Sequence, residues 1–183
     1  MFKEDKILLV SELGVEGLSL LAKLALDFDV IVWVSSNTYL PSKILNANSY
    51  RGKAKVFGFH SKTGNVVDPL NLNEISLKIH EESLEKACVI ISCLSELIMH
   101  HGIKKIHTFL VRLLNSTKRL LCMLIDEAQD RRDELLISAL FDAVFKLKRV
   151  GSDKVVLVPI LHYSPRVMEL EYRDGVIYQA VSQ

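Results

Sequence analysis

The residues best suited to chemistry lie in the loop that follows the first predicted strand. Set against the phosphate-binding pattern GxxxxGK followed by Ser or Thr, the segment ELGVEGLS keeps the second glycine as Gly17 and the hydroxyl as Ser19. Glu12 stands at the first glycine position and Leu18 at the lysine position. The lysine normally neutralises β- and γ-phosphate charge, and the hydroxyl only helps to hold magnesium. Glu12 and Glu16 would repel a nucleoside triphosphate, so the pattern indicates a degenerate loop.

A simpler interpretation of the same loop stays open. Gly14 and Gly17 would then only allow a tight turn from strand to helix, and the likeness to the phosphate-binding pattern would be chance. The spacing of the two glycines does not decide between these interpretations.

A second cluster, LIDEAQD at residues 124–130, ends another predicted strand. It resembles the Asp-Glu motif of P-loop ATPases, in which Asp126 would hold magnesium and Glu127 would orient a water molecule. Such a pair needs a phosphate-gripping lysine, and the sequence contains no complete phosphate-binding pattern. The competing interpretation is that both carboxylates start a helix through Leu140 and pair with Arg131 and Arg132.

Histidines and other basic residues give weaker signals. Neither the His100-His101 pair nor His162 has carboxylate or cysteine partners at metal-ligand spacing, so we expect no metal site. The basic residues of the predicted helix after Gly102 are typical of a solvated face. Contact with DNA or RNA stays open as an alternative. This basic cluster comprises Lys104, Lys105, His107, Arg112, Lys118 and Arg119.

These residues would be positioned by an alternating α/β scaffold. Short apolar runs predict strands at residues 7–10, 30–34, 54–59, 87–91, 119–125 and 141–148. Helical patterns occupy residues 15–26, 73–86, 104–117 and 131–140, and residues 60–72 have the composition of a loop. Three closing runs, 155–161, 167–172 and 176–181, predict an antiparallel meander. We therefore expect one α/β domain over residues 1–183, with a mostly parallel central sheet and an antiparallel extension.

Composition limits the class of protein. With 49% hydrophobic and 25% charged residues and a net charge of +1, the chain is typical of a globular domain without a global field for nucleic acid or anionic lipid. The longest uncharged run has 13 residues, whereas a membrane span needs roughly 20, so we expect no membrane partner. The three cysteines form no CxxC pair, and the first residues lack the pattern of an export signal. We expect a cytoplasmic protein.

Most of the chain resembles the KaiC-like branch of the RecA superfamily. CVIISCLSEL, residues 88–97, resembles the Walker B strand and following turn of that family, with Ser92 in place of the aspartate. Segments 102–119 and 136–149 resemble its next helix and a strand near the sheet edge. VVLVPI, a polar turn with His162 and Pro165, and then MELEYRDGVIY resemble its terminal β-meander. The resemblance implies a RecA-like P-loop NTPase fold.

The departures from the family decide what the resemblance implies for function. Active members need the lysine of the loop and the magnesium-linked aspartate, and this chain has Leu18 and Ser92 at those positions. The resemblance therefore implies a pseudo-ATPase with no cofactor, which acts by association with itself, as a homo-oligomer, or with an active relative. The alternatives are a weak ATPase that uses Asp126 and Glu127, and a nucleic-acid-binding accessory protein that uses Lys104, Lys105 and Arg112.

Overall fold

All the strands of the described residues join one sheet of nine strands. The computed structural model describes residues 4–12, 14–60, 65–82, 86–162 and 166–179. The strands are β1 (Lys6–Ser11), β2 (Val30–Asn37), β3 (Lys53–His60), β4 (Ala87–Ile91), β5 (Arg119–Ile125), β6 (Ala143–Arg149), β7 (Lys154–Leu161), β8 (Met168–Arg173) and β9 (Val176–Gln179). The helices are α1 (Val15–Ala25), α2 (Tyr39–Ala47), α3 (Leu72–His80), α4 (Leu94–His101), α5 (Ile103–Ser116) and α6 (Arg131–Ser138).

The strand order decides which loops meet. It runs β3-β2-β4-β5-β1-β6-β7-β8-β9, with parallel pairing from β3 to β6 and antiparallel pairing from β6 to β9. The predicted fold class, a mostly parallel sheet with an antiparallel extension, is confirmed. Strand β1 lies between β5 and β6, so the carboxyl ends of these three strands are neighbours, whereas β5 separates β1 from β4.

Helices cover both faces of the parallel strands. Alternate strand residues such as Val10 and Ile91 pack with α3, α4, α5 and α6 in one apolar cluster. The residues between them, such as Leu9 and Trp33, pack with α1 and α2 in a second cluster. Because both faces are buried, these strands read as continuous apolar runs rather than as alternating ones.

Helix α5 shows how the hydrophobic pattern fixes an orientation. Ile106, Phe109, Leu110 and Leu113 are buried against the sheet, whereas Lys104, Lys105 and Arg112 are exposed, as the periodicity predicts. Helix α3 starts earlier than predicted. It begins at Leu72 rather than at residue 73, and its cap is Asn71, whose side-chain oxygen accepts a hydrogen bond from the Glu74 N–H at 3.1 Å.

Three features of the elements differ from what the sequence predicts. Helix α2 was not expected; it starts where the Asn37 side-chain oxygen accepts hydrogen bonds from the N–H groups of Tyr39 and Leu40. Strand β6 is not near the sheet edge, because it pairs with both β1 and β7. Arg119 does not extend the basic helix face, since it is a buried residue of β5 whose guanidinium donates to the Glu4 carbonyl oxygen at 2.7 Å.

Some expectations fall outside the described residues. This applies to residues 61–64 of the predicted loop, to residues 83–85 of the predicted third helix, and to the polar turn at residues 163–165. Within the described part of the chain, no helix is long and apolar enough to cross a bilayer.

Candidate functional site

Three polar groups meet at the carboxyl ends of the adjacent strands β5, β1 and β6. The Asp126 N–H, just after β5, donates to the Ser11 carbonyl oxygen at the end of β1, at 2.8 Å. Lys146 of β6 lies opposite Val10 of β1 in the register. Its ammonium group reaches the Asp126 carboxylate at 2.7 Å, so an ion pair bridges the strands on either side of β1. Ligands of open α/β sheets bind at the carboxyl ends of the parallel strands, which makes this place the candidate site.

The packing of α1 against the sheet leaves no room for a side chain at Gly17. A Cβ atom at this position would lie 2.7 Å from the Met123 sulfur and 2.8 Å from the Ser11 hydroxyl oxygen, both closer than van der Waals contact. Gly14 has φ 173° and ψ 172°, an extended conformation that any residue adopts. The conformation of Gly14 therefore does not require glycine, whereas Gly17 lets α1 approach the sheet directly after the turn.

A carboxylate of the chain itself lies at the start of helix α1. The Glu16 side chain folds back over Gly14, close enough that a Cβ atom on Gly14 would collide with its Oε2 atom. The Arg149 guanidinium, at the end of β6, holds the other carboxylate oxygen at 3.2 Å, and the Glu16 side chain is only 12% exposed. The partial positive charge of a helix N-terminus favours an anion there, and in this loop Glu16 supplies it.

Leu18 and Ser19 turn away from the loop. Leu18, at the position of the missing lysine, is 8% exposed and belongs to the apolar cluster under α1. The Ser19 hydroxyl is fully buried and donates to the Val15 carbonyl oxygen at 2.9 Å, within the helix. Tyr172 of β8 lies nearby, and its pKa is raised because burial disfavours the phenolate and because the Glu16 carboxylate adds negative charge. Glu12, in contrast, is exposed.

Ser92 does not lie beside the loop after β1. It follows β4, on the far side of β5, and its hydroxyl accepts a hydrogen bond from the Trp33 indole N–H of β2 at 2.9 Å. Its backbone N–H donates to the Val34 carbonyl oxygen at 3.0 Å, and the residue is buried. Ser92 thus ties β4 to β2 inside the core.

Asp126 and Glu127 precede helix α6 instead of starting it. The chain turns after β5, with Glu127 exposed at φ +60°, and α6 begins at Arg131, the first residue of the predicted helix 131–140. The alternative that Asp126 and Glu127 start this helix is therefore wrong. The acidic residues of the first turn are Asp133 and Glu134. Asp126 pairs with Lys146 rather than with either arginine, and this hydrogen bond raises the pKa of Lys146.

The three basic residues of the possible nucleic-acid site do come together. Lys104, Lys105 and Arg112 line one side of an open groove of about 500 Å³ between α3 and α5. Residues 70–73, at the start of α3, line the other side. This groove is on the opposite face of the sheet from α1.

His162 and His101 have structural partners. His162 Nε2 lies 3.1 Å from the Glu4 carboxylate, and His101 Nε2 lies 2.7 Å from the Pro69 carbonyl oxygen. No group of three metal-ligating side chains occurs in the part of the chain that the structure describes.

Sequence reasoning missed the cations of the site. Lys146 and Arg149 both come from β6, which lies beside β1 although more than 130 residues separate the strands in the chain. The alternation FDAVFKLKR was a usable signal, because it placed a lysine among apolar residues of a strand. The pairing of β6 with β1 had no such signal.

Comparison with known proteins defines the fold. No protein-family model matches the sequence, and no curated protein gives a significant match. The flagellar accessory protein FlaH of Methanocaldococcus jannaschii is similar in structure, with a TM-score of 0.67, 14% identity, and coverage of 98% of this chain and 91% of that one.

Two proteins of Pyrococcus horikoshii are also similar. The KaiC-like protein PH0186 has a TM-score of 0.67 and 11% identity over 98% of this chain and 92% of its own. The uncharacterised protein PH0321, crystallised with an unknown peptide, has a TM-score of 0.59 and 12% identity, with coverage of 97% of this chain and 92% of that one. The α/β order, the parallel sheet with its antiparallel extension, and these likenesses over nearly the whole chain establish that the protein has the RecA-like fold of the FlaH and KaiC-like proteins.

Proposed function

We propose that this protein is a pseudo-ATPase: a RecA-like domain that does not hydrolyse nucleotide and acts by association with other protein chains. The observation that carries the proposal is the Glu16 carboxylate at the N-terminus of α1, held there by Arg149 at 3.2 Å. A triphosphate would need the same helix N-terminus. It would meet a carboxylate instead of a lysine, since Leu18 is buried in the core.

The charges near the loop strengthen this interpretation. Two of the three cations of β6 are committed, Lys146 to Asp126 at 2.7 Å and Arg149 to Glu16 at 3.2 Å. A nucleotide that recruited either cation would leave a carboxylate without its partner beside the phosphates. A phosphate and an unpaired carboxylate about 4 Å apart in a partly buried site repel each other by several kcal/mol, on the order of the Coulomb energy at an intermediate dielectric.

Association is supported by the exposed apolar surface and by the structural relatives. Leu70, Leu77, Met99, Leu135 and Leu136 are large apolar side chains exposed on helices or beside them. The similar protein FlaH is a flagellar accessory protein, and PH0321 was crystallised with a peptide. A domain without catalytic activity can still function by binding a second copy of itself or an active relative.

Calorimetry with Mg-ATP tests the absence of nucleotide binding. We expect no heat of binding up to about 1 mM nucleotide, which corresponds to a binding free energy weaker than about 4 kcal/mol. The Glu16→Gln variant is the matched comparison, because it removes the internal anion and keeps the side-chain shape. Micromolar binding by the wild-type chain would overturn the proposal.

Sedimentation velocity over a range of protein concentrations tests self-association. If the chain assembles with itself, the sedimentation coefficient rises with concentration. A coefficient that stays at the monomer value removes the homo-oligomer and leaves association with a different chain as the proposed mode.

A weak ATPase is the second candidate function. The observation that favours it is the place of Asp126 beside the end of β1, where its side chain is 15% exposed. In this alternative a magnesium ion would displace Lys146 from the carboxylate. Phosphate release that disappears in Asp126→Asn but persists in Asp133→Asn would support the ATPase, and the absence of release from the wild-type chain excludes it.

A further inference from the structure

The groove between α3 and α5 has a regular basic wall. Lys104, Thr108 and Arg112 are spaced four residues apart on α5 and therefore lie along one stripe of the helix, with Lys105 beside it. The opposite wall is formed by the start of α3 with Asn71 and Leu72. No carboxylate is present among the described residues that line the groove.

The cations of this wall lack an internal counter-charge. Lys104, Lys105 and Arg112 are exposed, and none of them forms an ion pair with a carboxylate of the described residues. Lys53 and Lys78 do have acidic partners, whereas other exposed lysines of the described residues, such as Lys23, have none; what distinguishes the groove is that its cations form a stripe. A stripe of unpaired cations along a groove indicates a ligand with negative charges at matching intervals.

The groove also has an apolar part. Phe109 forms its floor and is only 5% exposed, and Leu70 at the rim is 65% exposed. Without an exposed aromatic ring among these lining residues, the groove lacks the stacking platform that single-stranded nucleic acids use. It is open rather than enclosed, unlike pockets that bury most of a small ligand. The ligand that fits is therefore anionic along one side and aliphatic along the other.

We propose that the α3–α5 groove docks an acidic amphipathic helix of a partner protein. The eight residues from Lys104 to Arg112 span about 12 Å along α5. A helix lying beside α5 presents carboxylates seven or eight residues apart over the same distance. Leucine-type side chains on the adjacent stripe of the same helix then contact Leu70 and Leu72 on the opposite wall. This inference rests on the proposed function in protein association and names the chemistry of the partner.

Binding of a designed peptide to the full chain tests the inference. The probe is a fluorescent helical peptide of about 18 residues, with glutamates at intervals of four and a stripe of leucines, measured by anisotropy. We expect saturable binding that weakens as salt is added, because exposed charges are screened. The Lys104→Ala plus Arg112→Ala variant should bind about tenfold more weakly. Lys23→Ala, an exposed lysine on the α1 face, should bind as the wild type does.

Several outcomes would overturn the inference. They are no saturable binding of the acidic peptide, equal binding of a peptide with glutamine for glutamate, or equal binding by the double variant. Tighter binding of single-stranded oligo(dT) of about 20 nucleotides, lost in the double variant, assigns the groove to nucleic acid instead. Because none of these readouts involves Mg-ATP or self-association, failure here is distinguishable from failure of the proposed function.

Discussion

The close approach of helix α1 to the sheet depends on Gly17. A methyl group there would lie 2.7 Å from the Met123 sulfur and 3.1 Å from the Ser11 Cβ atom, so the helix or the strand must shift. We expect Gly17→Ala to lower the free energy of unfolding by about 1 to 3 kcal/mol, as overpacking usually does. Urea unfolding measures the change. Gly151→Ala is the control, because a Cβ atom there would make only ordinary contact at 3.9 Å, and an equal effect of the two changes would contradict the packing argument.

The ion pair between Asp126 and Lys146 contributes stability across the edge of the sheet. The two charged groups are 2.7 Å apart and both side chains are less than one-third exposed. A double-mutant cycle with Asp126→Asn and Lys146→Met should give a coupling energy of about 1 kcal/mol, at the upper end for partly exposed pairs. Additive effects of the two changes, measured by urea unfolding, would show that the pair contributes nothing to stability.

For single residues, the sequence predicts motifs formed by adjacent positions, but it does not predict contacts between residues that are far apart in the chain. The departures at Glu12 and Leu18 were visible because eight adjacent residues define the phosphate-binding pattern. The partner of Glu16 was not visible, because Arg149 comes from a strand whose neighbours depend on the whole sheet. Ser92 was correctly aligned with the end of its strand, yet its partner Trp33 is 59 residues away in the sequence.

At the scale of elements, strands buried on both faces are the easiest to predict. Strands β4 and β5 match the predicted residues 87–91 and 119–125, because their apolar runs end at polar residues. Helix α2 was not predicted; it is short and contains Pro41, which is tolerated there because it lies in the first turn. The start of α6 at Arg131 matches the predicted helix 131–140, and only the alternative that placed Asp126 and Glu127 at its start is wrong, because acidic residues occur both in the preceding turn and in the first turn of the helix.

The edge strand β3 is tied to the end of helix α3 by one carboxylate. Glu82 is buried and accepts from Lys53 at 2.7 Å and Lys55 at 2.9 Å, and these hydrogen bonds hold its pKa below the ordinary 4.5. A depressed pKa contributes stability above pH 4.5 that is lost as the pH falls through the folded-state value. We therefore expect Glu82→Gln to cost about 1 kcal/mol at pH 7 and progressively less below about pH 4.5.

Unfolding curves at several pH values measure this dependence. The control is Glu81→Gln, since Glu81 is half exposed and pairs with the nearby Lys78 at 3.1 Å. We expect this control to change stability by less than about 0.5 kcal/mol at any pH. A loss in Glu82→Gln that stays constant down to pH 3 would show that the charge of Glu82 is not the cause.

For the whole molecule, the α/β class could be predicted from the alternation of elements, but the strand order could not. Hydrophobic patterning shows that a strand is buried on both faces and does not show which strands flank it. The insertion of β5 between β4 and β1 separates Ser92 from the loop after β1. The pairing of β6 with β1 places Lys146 and Arg149 beside that loop. The functional conclusion therefore depends on topology as much as on the residues of the motif.

The three cysteines report on the stability of the entire sheet. Cys88 and Cys122 lie in the adjacent strands β4 and β5, and Cys93 follows β4; all three are buried. Burial raises the pKa of Cys88 to about 12 and also raises the pKa values of Cys93 and Cys122. The reactive thiolate is therefore scarce in the folded protein even at pH 8.

Labelling with a thiol reagent at pH 8 should consequently require opening of the central sheet. We expect each of the three thiols to react at least about a thousandfold more slowly than in the urea-unfolded chain, since a global stability of about 5 kcal/mol suppresses open states by more than that factor. Gly17→Ala should accelerate all three labelling rates together, because it loosens α1 from the sheet that buries them. Rapid reaction of one cysteine while the other two stay protected would mean that β4 or β5 opens locally and that the sheet does not unfold as one unit.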